Sequence, residues 1–410
     1  MNNQRLELVA DFYEYTMSNK KMENQIAYFD VFFRKVPDEG GYAIIAGLEQ
    51  IINYIKNLSF DEEDINYLRK QNKFSEEFLN YLENFRFTGD VWAIPEGTVV
   101  FPNEPLITVR APIIQAQLLE TMLLLTTNHQ SLIATKTSRI VKEAQGRPVM
   151  EFGARRAHGI NAAVEGARAA IIGGAIGTSC TLSAKEFNVP ASGTMAHSWV
   201  QSFDSEYEAF KTYAEIYPDD CTLLIDTYNT IESGLPNAIK VFNEVLKPKG
   251  YKPKAVRLDS GDLAYLSKKV RKILDEAGYT ECKICATNSL DEYLIKSLIE
   301  QDAKIDSFGV GENLITAKSE PVFGGVYKLV GIEKDTKIIP KIKVSENVVK
   351  VTNPGFKKVY RFYDNESQKA IADVIALSDE IIDEREYMIF DPQNPWKKKL
   401  IKDYTIRELQ

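Results

Sequence analysis

Short apolar runs alternate with longer amphipathic stretches from Pro148 to about residue 312. Each run ends in polar residues or glycine, and the runs lie at residues 148–155, 174–179, 194–200, 222–229, 255–262, 283–289 and 305–312. Helix-like stretches such as 161–172 and 263–278 separate them. Repeated strand–helix units predict a TIM-like parallel α/β barrel with its active site at the C-terminal ends of the strands. An open doubly wound sheet gives a similar pattern, but seven runs of similar size favour the barrel.

The regions on either side of this barrel have a different pattern. Ahead of it, the predicted strands are 26–34, 91–95, 97–101 and 106–110, and the predicted helices are 60–87, 114–125 and 131–144. After Val326 the chain returns to lysine-rich, strand-like segments that are similar to the opening. We therefore expect two domains: a barrel of residues 146–329, and an α/β domain of residues 1–145 completed by 330–410.

Composition narrows the class of protein. The chain has 410 residues and a net charge of −8, which argues against nucleic-acid binding because phosphate contacts need a basic surface. An anionic ligand must therefore be bound by a local cluster of basic side chains and backbone N–H groups. A membrane span requires about 20 apolar residues, and no apolar stretch approaches that length. The N-terminus lacks a signal-peptide core. Four cysteines, with a lone CxxC at Cys282 and Cys285, indicate neither disulfides nor a zinc site, so we expect a cytoplasmic protein.

Basic and aromatic residues follow the first predicted barrel strand. Arg155 and Arg156 are adjacent there, and two guanidinium groups at a crowded rim indicate an anionic ligand. A guanidinium binds a carboxylate through two parallel hydrogen bonds, and either arginine fits that role. Phe152 would stack on an aromatic ring. Surface salt bridges and a core phenylalanine are the alternative interpretation. The hydroxyl residues of 177–179, after the second strand, suit hydrogen bonds to a flat heterocycle.

His197 and three acidic residues lie at later strand ends. A lone histidine among apolar neighbours is more often a core residue than a catalytic one, so the context decides. Asp226, Asp259 and Asp262 suit water-mediated Mg²⁺ binding, ribose hydroxyls or stabilisation of a cationic transition state. Arg257 beside them suits phosphate oxygens.

A glycine turn follows the seventh strand and opens a helix. Gly309 and Gly311 lie in this turn, whose N–H groups predict a phosphate site, and phosphates often bind after the seventh or eighth strand of such barrels. A plain turn is the alternative. The glycines at 173–177 precede a strand instead of following one, so they do not form a dinucleotide-binding fingerprint.

Taken together and in order, these motifs resemble the nicotinate phosphoribosyltransferases. The resemblance is carried by EFGARRAHG, GTS, GTMAHSWV, LLIDTYNT, RLDSGDLA and SFGVGENLITA, with ADFYEYTM near the N-terminus, and it covers about residues 11–328. It implies transfer of the phosphoribosyl group of phosphoribosyl pyrophosphate to nicotinate, giving nicotinate mononucleotide for NAD biosynthesis. It further implies Mg²⁺, ATP as a co-substrate, a phosphohistidine, an irregular barrel, and a homodimer with shared active sites.

The resemblance also implies roles for single residues. His197 would be the phosphorylated histidine, and Asp226 and Asp259 would complete the catalytic set near Mg²⁺. The implied nicotinate-binding residues are Tyr13 (from the partner subunit), Phe152, Arg155 and Ser179. The implied phosphate-binding residues are Arg156, Arg257, Gly261, Asn288, Gly309, Gly311 and Glu312.

Two positions bear on substrate choice. The family often has threonine where Glu312 stands, and a glutamate beside a phosphate suggests that only its backbone is used. Ser179 stands where the nicotinamide enzymes have an aspartate that would repel a carboxylate, so it favours the acid substrate. The rival hypotheses are a nicotinamide or quinolinate phosphoribosyltransferase, a non-catalytic nucleotide sensor, and a barrel oxidoreductase.

Overall fold

A computed structural model describes residues 6–17, 22–344, 351–383, 385–391 and 394–410. The chain divides into two compact units, Met1–Ser131 with Val322–Gln410, and Leu132–Pro321. The strands are β1 Ile26–Phe33, β2 Ala43–Ile44, β3 Asp90–Ala93, β4 Val99–Val100, β5 Ile107–Pro112, β6 Val149–Glu151, β7 Thr222–Leu224, β8 Ala255–Leu258, β9 Lys283–Ala286, β10 Ser307–Val310, β11 Gly325–Lys334, β12 Lys337–Pro340, β13 Lys357–Asp364, β14 Ala370–Leu377, β15 Glu386–Asp391, β16 Asn394–Lys402 and β17 Tyr404–Glu408.

The α-helices are α1 Leu48–Asn57, α2 Glu62–Lys70, α3 Glu76–Glu83, α4 Ile113–Gln117, α5 Glu120–Glu143, α6 Ile160–Ile172, α7 Thr181–Phe187, α8 His197–Gln201, α9 Glu206–Ile216, α10 Leu235–Val241, α11 Leu263–Glu276, α12 Glu292–Glu300 and α13 Glu312–Ile315. Short 3-10 helices lie at Leu6–Leu8, Phe12–Met17, Pro37–Glu39, Ala154–Arg156, Pro218–Asp220 and Lys247–Lys249, and π-helical turns lie at Thr230–Gly234 and Phe242–Leu246. Among the described residues, no helix is long and apolar enough to cross a membrane.

The first unit is built on an antiparallel sheet in the order β12-β11-β1-β5-β3. Seven of the eight residues of β1 are buried, which explains why its aromatic run lacks the polar alternation of a half-exposed strand. Asp30 in β1 forms a buried ion pair with Lys357 in β13 at 2.8 Å. The remaining strands form a three-stranded sheet β14-β13-β17 and the pairs β15-β16 and β2-β4.

The second unit contains a parallel sheet in the order β6-β10-β9-β8-β7. Beyond β6, the pairing continues only as single parallel bridges, from Glu151 to Thr178 and from Thr178 to Ala191. β6 therefore lies between β10 and the segment around Thr178. This is the strand order of a ring that is open between Ala191 and β7. Within residues 132–321, all of them described, no ladder closes this ring, so the structure shows a mixed α/β fold with a parallel sheet and does not show a TIM-like barrel.

The third predicted barrel strand, 194–200, is wrong. Residues 192–196 belong to no strand or helix, and His197 is the first residue of α8. Val200 is the only β-branched residue after Thr194, so the segment has little strand propensity. Tertiary packing instead favours a helix: α8 contacts α9, and the Trp199 indole donates to the carbonyl of Ala209 at 3.2 Å.

Candidate functional site

His197 lies between residues that follow two neighbouring strands of the second unit. Thr227 comes three residues after the end of β7, and Asp259 directly follows β8. The Nδ1 atom of His197 is 3.1 Å from the Thr227 hydroxyl, and Nε2 is 3.4 Å from Oδ2 of Asp259. Each ring nitrogen thus has one oxygen partner, which fixes the orientation of the imidazole. This histidine is partly exposed and is not a core residue.

Asp226 is held by backbone and side-chain donors at the same strand ends. Its Oδ2 atom accepts from the backbone N–H of Asp259 at 2.8 Å and from the Ser260 hydroxyl at 2.6 Å. Its Oδ1 atom is buried and has no hydrogen-bond partner among the described residues. One carboxylate oxygen therefore orients the side chain, while the other is left for a ligand.

Arg257 is oriented by several contacts within the site. Its Nε donates to the Thr287 hydroxyl at 3.2 Å, and Nη1 donates to the Thr194 hydroxyl and to the carbonyl of Met195. Its Nη2 lies 3.6 Å from Oδ1 of Asp259, which also accepts from Thr287. The guanidinium is therefore fixed beside a carboxylate, and its side chain is only 15% exposed.

Phe152 lies against Gly309, which is part of β10, and against Gly311, which follows that strand. A Cβ atom added at Gly309 would come within 2.5 Å of the Phe152 ring and 2.7 Å of the Thr287 methyl group. A Cβ at Gly311 would lie 3.2 Å from the Phe152 carbonyl oxygen. Because Thr287 also donates to Asp259, the aromatic and acidic residues belong to one site.

Glu151 joins the end of β6 to the 177–179 turn. Its buried carboxylate accepts from the Thr178 hydroxyl at 2.6 Å and from the backbone N–H of Gly153. Burial raises the pKa of this carboxyl group, while the two hydrogen bonds act against that rise. Ser179, which donates its N–H to the Glu151 carbonyl, is exposed. Glu151 thus fixes the backbone around Phe152 and Ser179.

The two predicted arginines lie in the short helix Ala154–Arg156, and both are exposed. Arg156 is 3.8 Å from Glu312, and Lys318 is 2.8 Å from the same carboxylate. The hydrogen bond from Lys318 lowers the pKa of Glu312. The glutamate after the glycine turn is therefore flanked by two cations.

The remaining predicted residues are more peripheral. Gly261 has a φ of +78°, a conformation that favours glycine, and it precedes Asp262, which caps α11. Asn288 is exposed with a φ of +83°, and it accepts a hydrogen bond from Ser289. Tyr13 lies in the first unit, in the helix Phe12–Met17.

Three hydroxyl residues of the site were not singled out from the sequence. Thr227, Ser260 and Thr287 orient His197, Asp226 and Asp259 respectively. Each of them stands in or beside a motif already noted, within three residues of the end of a strand. That position is the signal by which they could have been found.

The residues present are compatible with Mg²⁺ held jointly with a ligand. No group of three or more histidine, cysteine or acidic side chains that could hold a metal occurs within the described part of the chain. Mg²⁺ is commonly bound by one or two carboxylates together with substrate phosphates. The unpartnered oxygen of Asp226, close to Asp259, fits that mode.

Comparison with known proteins identifies the family. Models described as the nicotinate phosphoribosyltransferase N-terminal domain, family and C-terminal domain match residues 8–128, 148–367 and 356–410. The nicotinate phosphoribosyltransferase of Bacillus subtilis is 46% identical over 409 residues, covering 98% of this chain and 83% of that relative. One from Mycobacterium tuberculosis is 45% identical over 359 residues, covering 86% and 75%.

Solved structures agree with the sequence matches. The crystal structure of human nicotinic acid phosphoribosyltransferase superposes with a TM-score of 0.85 at 25% identity, covering 98% of this chain and 88% of the human one. A nicotinate-nucleotide pyrophosphorylase from Pyrococcus furiosus shares the fold, with a TM-score of 0.72 at 24% identity, covering 99% and 91%. The chain therefore belongs to the nicotinate phosphoribosyltransferase family and is an enzyme of NAD biosynthesis.

Proposed function

We propose that this enzyme couples nicotinate phosphoribosyl transfer to ATP hydrolysis through phosphorylation of His197. The substrates are nicotinate, phosphoribosyl pyrophosphate, ATP and water, and the products are nicotinate mononucleotide, pyrophosphate, ADP and phosphate, which makes the reaction ligase-type. The observation that carries the proposal is the placement of His197 between Thr227 and Asp259. Phosphorylation of one ring nitrogen leaves a proton on the other, and each nitrogen has an oxygen nearby to accept it.

The charge pattern supports the transfer step. As the bond from the ribose to pyrophosphate breaks, positive charge develops on the sugar, and the carboxylates of Asp226 and Asp259 stabilise it. Arg257, already oriented by Thr287 and Thr194, binds phosphate oxygens. Mg²⁺, held by Asp226 and Asp259 with the substrate phosphates, would neutralise charge on the departing pyrophosphate.

Nicotinate is assigned to the side of Thr287 on which Phe152 lies, away from Asp259. Phe152 stacks on the pyridine ring, Ser179 hydrogen-bonds the substrate, and Arg155 binds the carboxylate, while Arg156 remains the alternative for that contact. The partner subunit's Tyr13 stacks on the ring in a homodimer with shared sites. Support for the acid substrate comes from Ser179, which places an exposed hydroxyl and no carboxylate beside the end of β6.

Phosphate groups are assigned to the turns that follow β8, β9 and β10. Backbone N–H groups of Gly309, Gly311 and Glu312 receive the 5′-phosphate. The side chain of Arg156 and the turns at Gly261 and Asn288 serve the pyrophosphate. Support comes from the position of Gly311 directly before α13, because the first N–H groups of a helix have no partner within it.

Three further parts of the proposal concern the molecule as a whole. The ring order of the parallel sheet supports closure into an irregular TIM-like barrel. A homodimer and a cytoplasmic location complete the proposal, together with the absence of nucleic-acid and membrane partners. An experimental structure with nicotinate mononucleotide bound tests the closure, the dimer and the choice between Arg155 and Arg156.

Labelled ATP tests the phosphohistidine. Incubating the full chain with γ-labelled ATP and Mg²⁺ is expected to give an acid-labile, base-stable phosphoprotein. His197→Ala is expected to abolish the label and the ATP-dependent gain in nicotinate mononucleotide. His158→Ala, which alters an exposed histidine, is the matched control and is expected to keep both. A label that survives in His197→Ala would rule out the assigned role.

A further inference from the structure

Two neighbouring residues of the N-terminal helix Phe12–Met17 have opposite environments. Glu14 is completely buried, whereas Tyr13 is 49% exposed. A buried acidic residue is costly unless it is hydrogen-bonded, so Glu14 requires a reason for its position.

Glu14 connects this short helix to the beginning of α5. Its Oε1 atom accepts from the hydroxyl of Thr121 at 2.5 Å, from the N–H of Thr121 at 3.1 Å and from the N–H of Asp11 at 3.4 Å. Thr121 is the second residue of α5, where backbone N–H groups have no partner within the helix and the dipole favours an anion. The carboxylate thus caps α5 and the short helix together.

Tyr13 contacts Glu120, the first residue of α5. Its hydroxyl hydrogen-bonds the carboxylate of Glu120, and burial together with this carboxylate raises the pKa of the phenol. Two consecutive residues, Tyr13 and Glu14, therefore contact two consecutive residues, Glu120 and Thr121. This double attachment fixes the hydroxyl end of Tyr13 and leaves its ring exposed.

We propose that Glu14 is a positioning residue that holds Tyr13 in the orientation required for nicotinate binding. The inference rests on the proposed function, in which Tyr13 stacks on the nicotinate ring. An aromatic ring that is oriented before binding loses less conformational entropy when the substrate arrives. Removing Glu14 should therefore weaken nicotinate binding through Tyr13, although Glu14 itself does not contact the substrate.

The second carboxylate oxygen of Glu14 gives this attachment a dependence on pH. Oε2 is buried and has no hydrogen-bond partner within the part of the chain that the structure describes, and burial raises the pKa of Glu14 to about 7. The neighbouring groups that respond to its charge are Glu120 of α5, Tyr13, Tyr15, Tyr54 of α1 and Tyr327 of β11, and Lys328 lies 3.8 Å from Glu120. Because this pKa lies above the ordinary carboxyl value of 4.5, ionisation of Glu14 weakens the buried attachment relative to the released segment.

The test measures KM for nicotinate and kcat in single and double variants. Tyr13→Ala and Glu14→Ala are each expected to raise KM about tenfold, the factor for about 1.4 kcal/mol, with kcat changed far less. The double variant should be no worse than either single variant, because both remove the same interaction. In the native enzyme KM should rise as pH increases from about 4.5 to about 7 and then level off, whereas Glu14→Gln should largely keep the attachment with a KM that does not follow pH.

A control separates positioning from a general loosening of the segment. Tyr15→Phe removes the hydrogen bond from the Tyr15 hydroxyl to the Glu7 carbonyl in the same segment and is expected to leave KM unchanged. A normal KM in Tyr13→Ala would overturn the role proposed for Tyr13. Suppose that Tyr13→Ala raises KM tenfold. The positioning role alone would then be overturned if Glu14→Ala lowered only the melting temperature, or if the KM effects of the two substitutions were fully additive in the double variant.

Discussion

The two sides of the candidate site are built differently. On the side of His197, Asp226 and Arg257, each group is fixed by hydrogen bonds to neighbouring strand ends. On the side proposed for nicotinate, Arg155 and Ser179 are exposed, and their backbone is held by the short helix Ala154–Arg156 and by the Ser179 N–H, which donates to the Glu151 carbonyl. Groups that act on developing charge must be oriented before the reaction, whereas groups that select a base can be oriented by the substrate. Substitutions on the first side should therefore affect kcat, and those on the second should affect KM.

Asp259→Asn is expected to have the largest effect. Asp259 faces both His197 and Arg257, so the amide removes the charge that orients two groups while keeping the shape. We expect kcat to fall about 10²–10³-fold, as for the loss of other preorganised electrostatic groups, and the ATP-derived label to be strongly reduced. Asp262→Asn is the matched control, because asparagine caps α11 as well as aspartate does. If Asp262→Asn lost as much kcat and label as Asp259→Asn, the special role of Asp259 beside His197 and Arg257 would be contradicted.

Gly309→Ala tests whether the two sides share one packed boundary. The new methyl group would lie within 2.5 Å of the Phe152 ring and 2.7 Å of Thr287, so one of them must move. Overpacking of this kind costs about 1–3 kcal/mol, and displacement of Thr287 should also reduce kcat. Thermal unfolding and kinetics measure the two effects. Gly41→Ala, the control, adds a methyl group in open space and should change neither stability nor kcat. Full activity in Gly309→Ala would show that Phe152 and Thr287 can move apart without affecting the reaction.

The sequence predicted the family better than it predicted the bounds of the elements. The parallel strands β7, β8, β9 and β10 were located because each is an apolar run, but they end two to five residues before the predicted ends at residues 229, 262, 289 and 312. The motifs identified the family. The helix pattern was wrong in α5, where a break was expected between residues 125 and 131 but the helix is continuous. Two polar residues there are buried and partnered by other segments: Gln130 donates to Gln50, and the Ser131 hydroxyl accepts from the N–H of Ala46. Such partners are distant in sequence and leave no local signal.

The hydroxyl residues of the site illustrate the same limit at closer range. Thr227 and Thr287 are ordinary strand-end residues in the sequence, and only the fold places them beside His197 at the start of α8 and Asp259 after β8. Their identity was visible, but their partners lie 30 and 28 residues away. Chemistry that depends on charge is thus recognisable from sequence, whereas the neutral groups that orient it require the fold.

Ser179→Asp tests the exposed side by changing substrate preference. A carboxylate at this position would repel nicotinate and could accept a hydrogen bond from the carboxamide of nicotinamide. We expect KM for nicotinate to rise about tenfold, the factor for about 1.4 kcal/mol, with little change in kcat. Ser179→Asn, of similar size and without charge, is the control. Turnover of nicotinate and nicotinamide should be compared for all three proteins, and an unchanged preference would exclude Ser179 as a determinant.

Glu312→Gln is expected to have the smallest effect and to act in the opposite direction. Glu312 lies at the end of the glycine turn, 2.8 Å from Lys318 and 3.8 Å from Arg156, and all three side chains are well exposed to solvent. Exposed ion pairs contribute little to stability, so the melting temperature should not change. Removing the carboxylate frees both cations for phosphate, and KM for phosphoribosyl pyrophosphate should fall by less than about fivefold, with a smaller fall at high salt. Glu300→Gln, at the exposed end of α12, is the control. A higher KM in Glu312→Gln would mean that this carboxylate assists phosphate binding by orienting Arg156. The surface formed by Arg156, Glu312 and Lys318 would then be as preorganised as the surroundings of His197.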